Sequence, residues 1–285
     1  MTEPFDNQPG QFKNWGTDPR SNEELLRAAL TEPDDDLAWD AIAVLHLRGS
    51  PDTFEAARVL STSADSHERQ VAADILGQLG LKEGRFQEEA VVILLGMLQQ
   101  EQDPDVLSAV TVALSHRHDP RIIAPLVAFK HHPDERVRFG LALGLSGYEE
   151  ELAVQALIEL SADPDVDVRD WATFELGDIL DLDTPAIRQA LVARLEDQDE
   201  ITRSEAAFGL AKRRDQRVVE PLLLALEVSA YRSLQEIRAR DRLLEAAAEI
   251  GDPRLYSALK RLQEAGEGEA SGILLEALDR TRSGL

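Results

Sequence analysis

Apolar and polar residues follow one another along this chain with the period of an α-helix. Apolar residues recur three and four positions apart, as in Ile122, Ile123, Leu126 and Val127, and this spacing predicts helices with one buried face. No segment alternates with a period of two for long enough to require a sheet. The pattern therefore predicts an all-α protein.

A ten-residue motif recurs seven times, at spacings of 31 to 40 residues. Leu or Ile fills its ninth position each time, small residues crowd its fifth and sixth positions, and the tenth is small in six copies. The copies are Leu37–His46, Glu68–Gly77, Val106–Ser115, Val137–Ser146, Val168–Gly177, Thr202–Ala211 and Arg242–Gly251. Small side chains let neighbouring helices approach closely, so we interpret the motif as the first helix of a repeated unit.

Each unit has a second half, most clearly in Asp119–Leu126, Asp215–Leu222 and Asp252–Leu259. Asp is suited to cap the helix that follows, and a nearby Pro is tolerated in a first helical turn. One helix pair cannot bury its apolar face alone, whereas stacked pairs bury a continuous core. The repeats therefore predict an α-solenoid of about seven helical hairpins.

This pattern resembles the HEAT-repeat superfamily, in particular the bacterial HEAT-like repeats first described in phycobilisome lyases. The resemblance rests on Pro133–Arg138 and Asp163–Arg169, each followed by a helix rich in small residues, and it covers about residues 33–265. It implies an armadillo-type superhelix whose second helices line a concave groove. It also implies that an arginine at the second position of four repeats reaches acids in neighbouring turns, with a partner-binding stripe as the alternative. These arginines are Arg69, Arg138, Arg169 and Arg203.

The ends differ from the array. Residues 1–20 are expected to form a flexible arm, whose Phe5, Phe12 and Trp15 either pack on the first repeat or dock elsewhere. Ser21 and Glu24 have the spacing of a capping box, so the solenoid with its capping helices is assigned to residues 21–280. Residues 281–285 are expected to fray.

Composition excludes several classes of function. There are 30 basic and 54 acidic residues, and a net charge of −24 argues against general nucleic-acid binding. The chain has no cysteine, which excludes disulfides and thiolate metal sites. It shows no signal peptide and no apolar stretch that could span a bilayer, so no membrane association and a cytoplasmic location are expected.

Candidate chemistry is sparse. His116, His118, His131 and His132 form the only histidine cluster, and solvated turn residues are the favoured interpretation over a metal site. The HEAT-like enzyme deoxyhypusine hydroxylase places His-Glu pairs in its first helices, but the corresponding positions here hold no histidine. We therefore expect no metal, no cofactor and no catalytic residue.

The last third of the chain is richer in basic residues, and two interpretations stay open. Its cations either pair with local acids on a solvated surface or form a patch for an acidic peptide or a phosphate-bearing ligand. The candidate partner-binding residues are Arg121, Arg188, Arg217 and Arg254 on the groove side, with Lys212, Arg213 and Arg214 in the turn of the sixth repeat.

The sequence thus favours a non-enzymatic scaffold or adaptor that binds a segment of another protein along the groove. The alternative, which the resemblance implies, is a lyase-like or chaperone-like helper of a cofactor-bearing protein.

Overall fold

The computed structural model describes residues 17–227, 234–265 and 272–282, and the chain divides into two units, Met1–Asp119 and Pro120–Leu285. These described residues contain α-helices and short 3-10 or π segments, and no strand. The helices of the first unit are α1 (Asn22–Thr31), α2 (Asp35–Arg48), α3 (Pro51–Leu60), α4 (Ser66–Gln78), α5 (Gln87–Gln100) and α6 (Pro104–Ser115). Those of the second unit are α7 (Ile123–Val127), α8 (Glu135–Gly144), α9 (Glu151–Leu160), α10 (Val166–Phe174), α11 (Pro185–Arg194), α12 (Glu200–Lys212), α13 (Val219–Leu226), α14 (Leu234–Ile250), α15 (Tyr256–Glu264) and α16 (Gly272–Arg282).

The seven predicted repeats correspond to successive helix pairs between α2 and α15. The ten-residue motif lies on the even-numbered helices α2 to α14, which we call first helices, and the odd-numbered helices α3 to α15 are the second helices. In the first unit α4 packs between α2 and α6, and in the second unit α8, α10, α12 and α14 pack in sequence. Second helices likewise contact one another, α7 with α9, α9 with α11, and α13 with α15. The predicted all-α solenoid of helical hairpins is confirmed.

Aspartate fixes where the first helices begin. Its side chain accepts backbone N–H groups at the N-terminus of six of them, and each such cap is worth about 1 kcal/mol. The capping residues are Asp34, Asp65, Asp103, Asp134, Asp165 and Asp199. Each of these six repeats therefore starts its first helix at a defined residue, which keeps the apolar faces of successive repeats in phase.

Small residues allow neighbouring first helices to touch through their backbones. A Cβ built on Gly209 of α12 would lie 2.5 Å from the Cα of Gly177, which follows α10. A Cβ built on Gly77 of α4 would lie 3.0 Å from the Cα of Ala113 on α6. The close approach predicted from the tenth position of the motif is present in both units.

The arginine ladder expected from the resemblance is confirmed for three of its four members. Nε and Nη2 of Arg138 each lie 2.8 Å from one carboxylate oxygen of Asp163, and the pair is buried. The other two pairs, with Nε–O distances of 2.7 and 2.9 Å, are Arg69 with Glu101 and Arg169 with Asp197. Each arginine also donates to carbonyls of the turn before its own helix, so it clamps its own repeat to the next.

Arg203 differs from the other three arginines. Its Nη1 donates to the carbonyl oxygens of Asp197 and Gln198, while its acidic neighbour is Glu200 on the same helix, 3.8 Å away. Arg203 therefore keeps the contact with its own turn, and no described carboxylate of the following repeat pairs with it.

Both ends of the described chain are more ordered than the sequence suggested. The predicted capping box is present, because Ser21 Oγ accepts from Glu24 N and the Glu24 carboxylate accepts from Ser21 N. Arg48 holds residues 17–20 by donating to the carbonyl oxygens of Asp18 and Arg20, each at 2.8 Å. Phe5, Phe12 and Trp15, on which the expectation for the arm depended, lie outside the described residues.

The boundary predicted at residue 280 is too early. Thr281 is fully buried within α16 and its hydroxyl donates to the Ala277 carbonyl at 2.7 Å, so the capping helix continues to Arg282. Residues 283–285 lie outside the described residues. No helix among the residues described is both long and apolar enough to cross a membrane.

Candidate partner-binding surface

One side of every second helix is exposed and is marked by two residues four positions apart. Residues i and i+4 lie above one another on a helix, whereas residue i+2 points away from both. The residue at i+2 is fully buried in all seven helices, and these core residues are Ala57, Leu94, Leu126, Leu157, Leu191, Leu222 and Leu259. The paired residues are Glu55 and Val59, Val92 and Gly96, Ala124 and Ala128, Gln155 and Glu159, Gln189 and Ala193, Glu220 and Leu224, and Ser257 and Arg261. We call these pairs the second-helix face; all its members are exposed except Gly96, which is half-buried.

The second-helix face is small, amide-bearing, aliphatic and acidic, and it is not basic. Its one cation, Arg261, pairs with Glu227 at 3.0 Å. The most exposed large apolar residue of the described chain is Leu224, which is 69% exposed. Two ion pairs between α13 and α15 flank it, Arg261 with Glu227 and, at 3.8 Å, Arg254 with Glu220. Leu224 is thus an exposed apolar residue between two exposed ion pairs.

Arginines predicted to line the groove are held by the protein's own acids. Arg217 pairs with Asp215, and Arg254 with Asp252, each within the 3-10 turn that starts a second helix. The Arg217 guanidinium, together with Arg188, holds the pKa of the Asp215 carboxyl well below its usual range. Arg121 is exposed at the equivalent start of α7. These cations are at the N-terminal ends of the second helices and are not members of the second-helix face.

Arg188 forms hydrogen bonds that connect two successive repeats. Its guanidinium lies between Asp183 at 2.6 Å and Asp215 at 2.9 Å, and Nη2 also donates to the Arg213 carbonyl. It therefore joins α11 to the turn of the next repeat, because its hydrogen-bonding groups are directed along the stack. A role of Arg188 in binding a partner stays a prediction.

Arg213 is also structural, although the sequence placed it in a basic patch. It is 8% exposed, and its guanidinium donates to carbonyl oxygens of the segment that follows α10 and to one carbonyl oxygen of its own helix α12. The acceptors are Leu176, Gly177, Leu180, Leu182 and Gly209, at 2.7 to 3.0 Å. Of its two neighbours, Lys212 donates to the Asp178 carbonyl and pairs with Asp181, and Arg214 is exposed.

The repeat alignment contains a signal that would have identified Arg213 as buried. Arg117 occupies the same position in the third repeat, is 2% exposed, and donates to the carbonyls of Leu76 and Leu79. The residue after each arginine adopts a left-handed backbone, with φ of 45° at His118 and 55° at Arg214. A cation that recurs before a turn in two repeats indicates a helix-end cap rather than a ligand contact.

Several half-buried carboxyl groups on the first helices had no sequence signal. Burial raises the pKa of Asp74 on α4 to about 7, and burial together with Glu205 raises the pKa of Asp170 on α10 to about 7. Glu205 itself accepts from Arg242 at 2.8 Å, and that guanidinium also lies over the Phe208 ring, 3.6 Å from its centroid. On a chain this acidic, such residues cannot be distinguished by type from the many exposed carboxylates.

The histidines provide no metal site within the described residues. His118 and His131 are exposed, whereas His116 is half-buried and its Nε2 lies 3.3 Å from the Gln78 amide nitrogen. His46 Nε2 lies 3.0 Å from the Asp74 carbonyl oxygen, and burial lowers its pKa to about 4. Across residues 17–227, 234–265 and 272–282, no group of three or more His, Asp or Glu could hold a metal ion.

Comparison with known proteins agrees with this architecture. A family model for HEAT repeats matches residues 22–115, 93–177 and 157–237. Protein YibA of Escherichia coli K12 is 28% identical over 246 residues, which are 84% of this chain and 83% of YibA. The X-ray structure of E. coli YibA superposes with a TM-score of 0.77 at 26% identity, covering 92% of this chain and 93% of that one. A crystal structure of importin beta shares the fold, with a TM-score of 0.58 at 14% identity over 91% of this chain and 42% of importin beta. This chain belongs to the HEAT-repeat family.

Proposed function

We propose that this protein is a non-enzymatic interaction scaffold that binds a segment of another protein on its second-helix face. The observation that carries the proposal is the repeated exposed pair, one from each second helix, opposite a fully buried core residue. Within each of the two units, a surface built from one equivalent ridge per repeat can contact an extended or helical segment at regular intervals.

The composition of this face supports binding to a protein rather than to a nucleic acid. Small residues such as Ala124 and Ala193 let a partner backbone approach, and the exposed amides of Gln155 and Gln189 can both donate and accept hydrogen bonds. Apolar contact points come from Val59, Val92 and Leu224 on other helices. The cations of the neighbouring turns are held in ion pairs, so they offer little attraction to a phosphate backbone.

The experiment that tests this proposal compares two triple variants of the full chain. The face variant carries Val59→Arg, Ala193→Arg and Leu224→Arg, which place charge on three exposed members of the second-helix face. The control variant carries Leu37→Arg, Val166→Arg and Leu275→Arg, three apolar residues that are 40–45% exposed away from that face. Both variants add the same charge and begin from exposed apolar side chains.

The wild type and both variants are immobilised, and the proteins that each captures from a cell lysate are quantified by mass spectrometry. We expect specific partners to be retained by the control and to fall at least tenfold with the face variant. Equal capture by the two variants contradicts the proposal. Circular dichroism of both variants confirms that they are folded.

A further inference from the structure

α5 contains a glycine that its own packing does not require. Gly96 lies in the interior of the helix, where glycine costs about 1 kcal/mol relative to alanine. A Cβ built there would meet no atom within 4 Å, so neither close packing nor backbone geometry excludes a side chain. Gly77 and Gly209, by contrast, each lie against the backbone of a neighbouring helix.

The space in front of Gly96 belongs to a groove between α3 and α5. Its volume is about 530 Å³, and Val92, Ile93, Gly96 and Met97 provide its apolar part. Val92 is 54% exposed, and Val59, next to the groove-lining Arg58 on α3, is 57% exposed. An absent side chain thus opens a notch in an apolar surface that solvent reaches, and this notch is large enough for the side chain of a partner.

Polar groups at one end of the groove are already satisfied by the protein. Arg69 donates both Nε and Nη2 to Glu101, and Arg58 pairs with Glu55 at 2.5 Å. The hydroxyl of Ser61 donates to the Arg58 carbonyl. Both arginines at this end are therefore engaged by carboxylates, and we look for recognition in the apolar notch and in charge farther along the helices.

The charged side chains farther along α3 and α5 are negative. Asp52 on α3 and Glu89 on α5 are exposed toward the N-terminal ends of the two helices. Glu89 precedes Gly96 by seven residues, which corresponds to about 10 Å along a helix. Residues 17–119 contain 20 acidic and 8 basic residues, so the field of the whole unit also favours a cation.

We infer that the Gly96 notch is a docking site for a basic segment of a partner protein, which inserts one aliphatic side chain between α3 and α5. Lysine or arginine of the same segment, about 10 Å away, pairs with the acidic ends of these helices. This inference rests on the proposed function and specifies the partner chemistry for the first unit.

The test is a selection of random twelve-residue peptides, displayed on phage, against the immobilised full chain. Selected peptides are synthesised, and their dissociation constants are measured by fluorescence anisotropy for the wild type and three variants. Gly96→Leu fills the notch, and Asp52→Lys with Glu89→Lys reverses the acidic end. Ala186→Leu is the matched control, because it adds a similar side chain at an exposed position at the start of α11, outside the second-helix face.

We expect the selected peptides to combine an aliphatic residue with lysine or arginine. Gly96→Leu and the double charge reversal should each weaken their binding at least tenfold, and Ala186→Leu should leave it unchanged. Thermal unfolding shows whether Gly96→Leu is folded, and Gly96→Ala provides a smaller substitution of the same kind.

Other outcomes separate this inference from the proposed function. Peptides that bind Gly96→Leu as well as the wild type, but lose binding to Leu224→Arg, overturn the inference and leave the scaffold proposal intact. Acidic peptides, peptides without a preference, or no enrichment at all overturn the inference. So does a wild-type dimer in analytical ultracentrifugation that Gly96→Leu dissociates, because the notch would then hold a second copy of this chain.

Discussion

Two glycine-to-alanine substitutions should change stability in opposite directions although both glycines lie inside helices. Alanine is the better helix former by about 1 kcal/mol, so propensity alone predicts the same gain at both positions. At Gly96 the new methyl group meets no atom within 4 Å, and the gain of about 0.5–1 kcal/mol should be realised.

At Gly209 the same methyl group would collide with the backbone of Gly177. It would lie 2.5 Å from the Cα of Gly177 and 3.0 Å from Cδ1 of Leu191. Rotation of the leucine side chain relieves the second contact, but only separation of α10 from α12 relieves the first. Overpacking of this kind costs about 1–3 kcal/mol, and a rigid backbone obstacle places this site at the upper end. The net result should be a loss of about 1–2 kcal/mol after the gain in propensity.

The assay is thermal and urea unfolding of the full chain, followed by circular dichroism at 222 nm. For a protein of this size about 1 kcal/mol corresponds to a shift of 2–4 °C in Tm. Gly96→Ala should therefore raise Tm by about 1–4 °C, and Gly209→Ala should lower it by about 2–8 °C. Hydrogen exchange should show the loss in α10 and α12. If Gly209→Ala is as stable as the wild type, the close approach of these helices is not a rigid requirement and this reasoning is refuted.

Three further substitutions test the internal polar contacts. Arg138→Ala leaves the Asp163 carboxylate buried without its partner, so it should cost about 3–5 kcal/mol, against less than about 1 kcal/mol for the exposed Arg27→Ala; urea unfolding of both variants measures the difference. Asp74→Asn should raise Tm more at pH 7.5 than at pH 5. The pKa of Asp74 is raised to about 7 in the folded state, which therefore holds a proton that the unfolded state releases, and wild-type stability falls as pH rises from about 4 to 7. Equal shifts in Tm at the two pH values would contradict this pKa. Arg213→Lys should lower Tm substantially, since one ammonium cannot serve five carbonyl oxygens; a variant with wild-type Tm would show that the cap is dispensable.

Features that repeat along the chain could be predicted from the sequence. The small tenth position of the motif predicted close helix contacts, and Gly177 lies against Gly209 because the phase of the repeat directs both residues to the shared side. The second position predicted the ladder, and Arg138 forms the expected pair with Asp163. In both cases the same local geometry recurs in each repeat. A residue at a given position of the ten-residue motif therefore makes the same kind of contact in several repeats.

The exposed or buried state of single charged residues could not be predicted in the same way. Lys212, Arg213 and Arg214 are adjacent and similar in type, yet Arg213 is buried, Lys212 is half-buried and Arg214 is exposed. Arg214 has a left-handed backbone, with φ of 55°, and composition carries no information about such a backbone angle. The sequence did predict that the second helices line the groove, but the arginines proposed for it, such as Arg217 and Arg254, lie at helix starts and not on the second-helix face.

Because many arginines form contacts within the protein, they also influence the charge of the surface that a partner protein can contact. The chain carries 54 acidic and 30 basic residues, and many of the arginines serve ladder pairs, helix-end caps and turn pairs. Part of the acid excess therefore remains outside these contacts, as at the exposed Glu89 on α5. Buried pairs are screened less by salt than exposed charges, and raising ionic strength from 0.1 to 1 M shortens the screening length from about 10 to 3 Å. A basic partner held by the exposed acids should consequently dissociate at salt concentrations that leave the Arg138–Asp163 pair, and the fold that depends on it, in place.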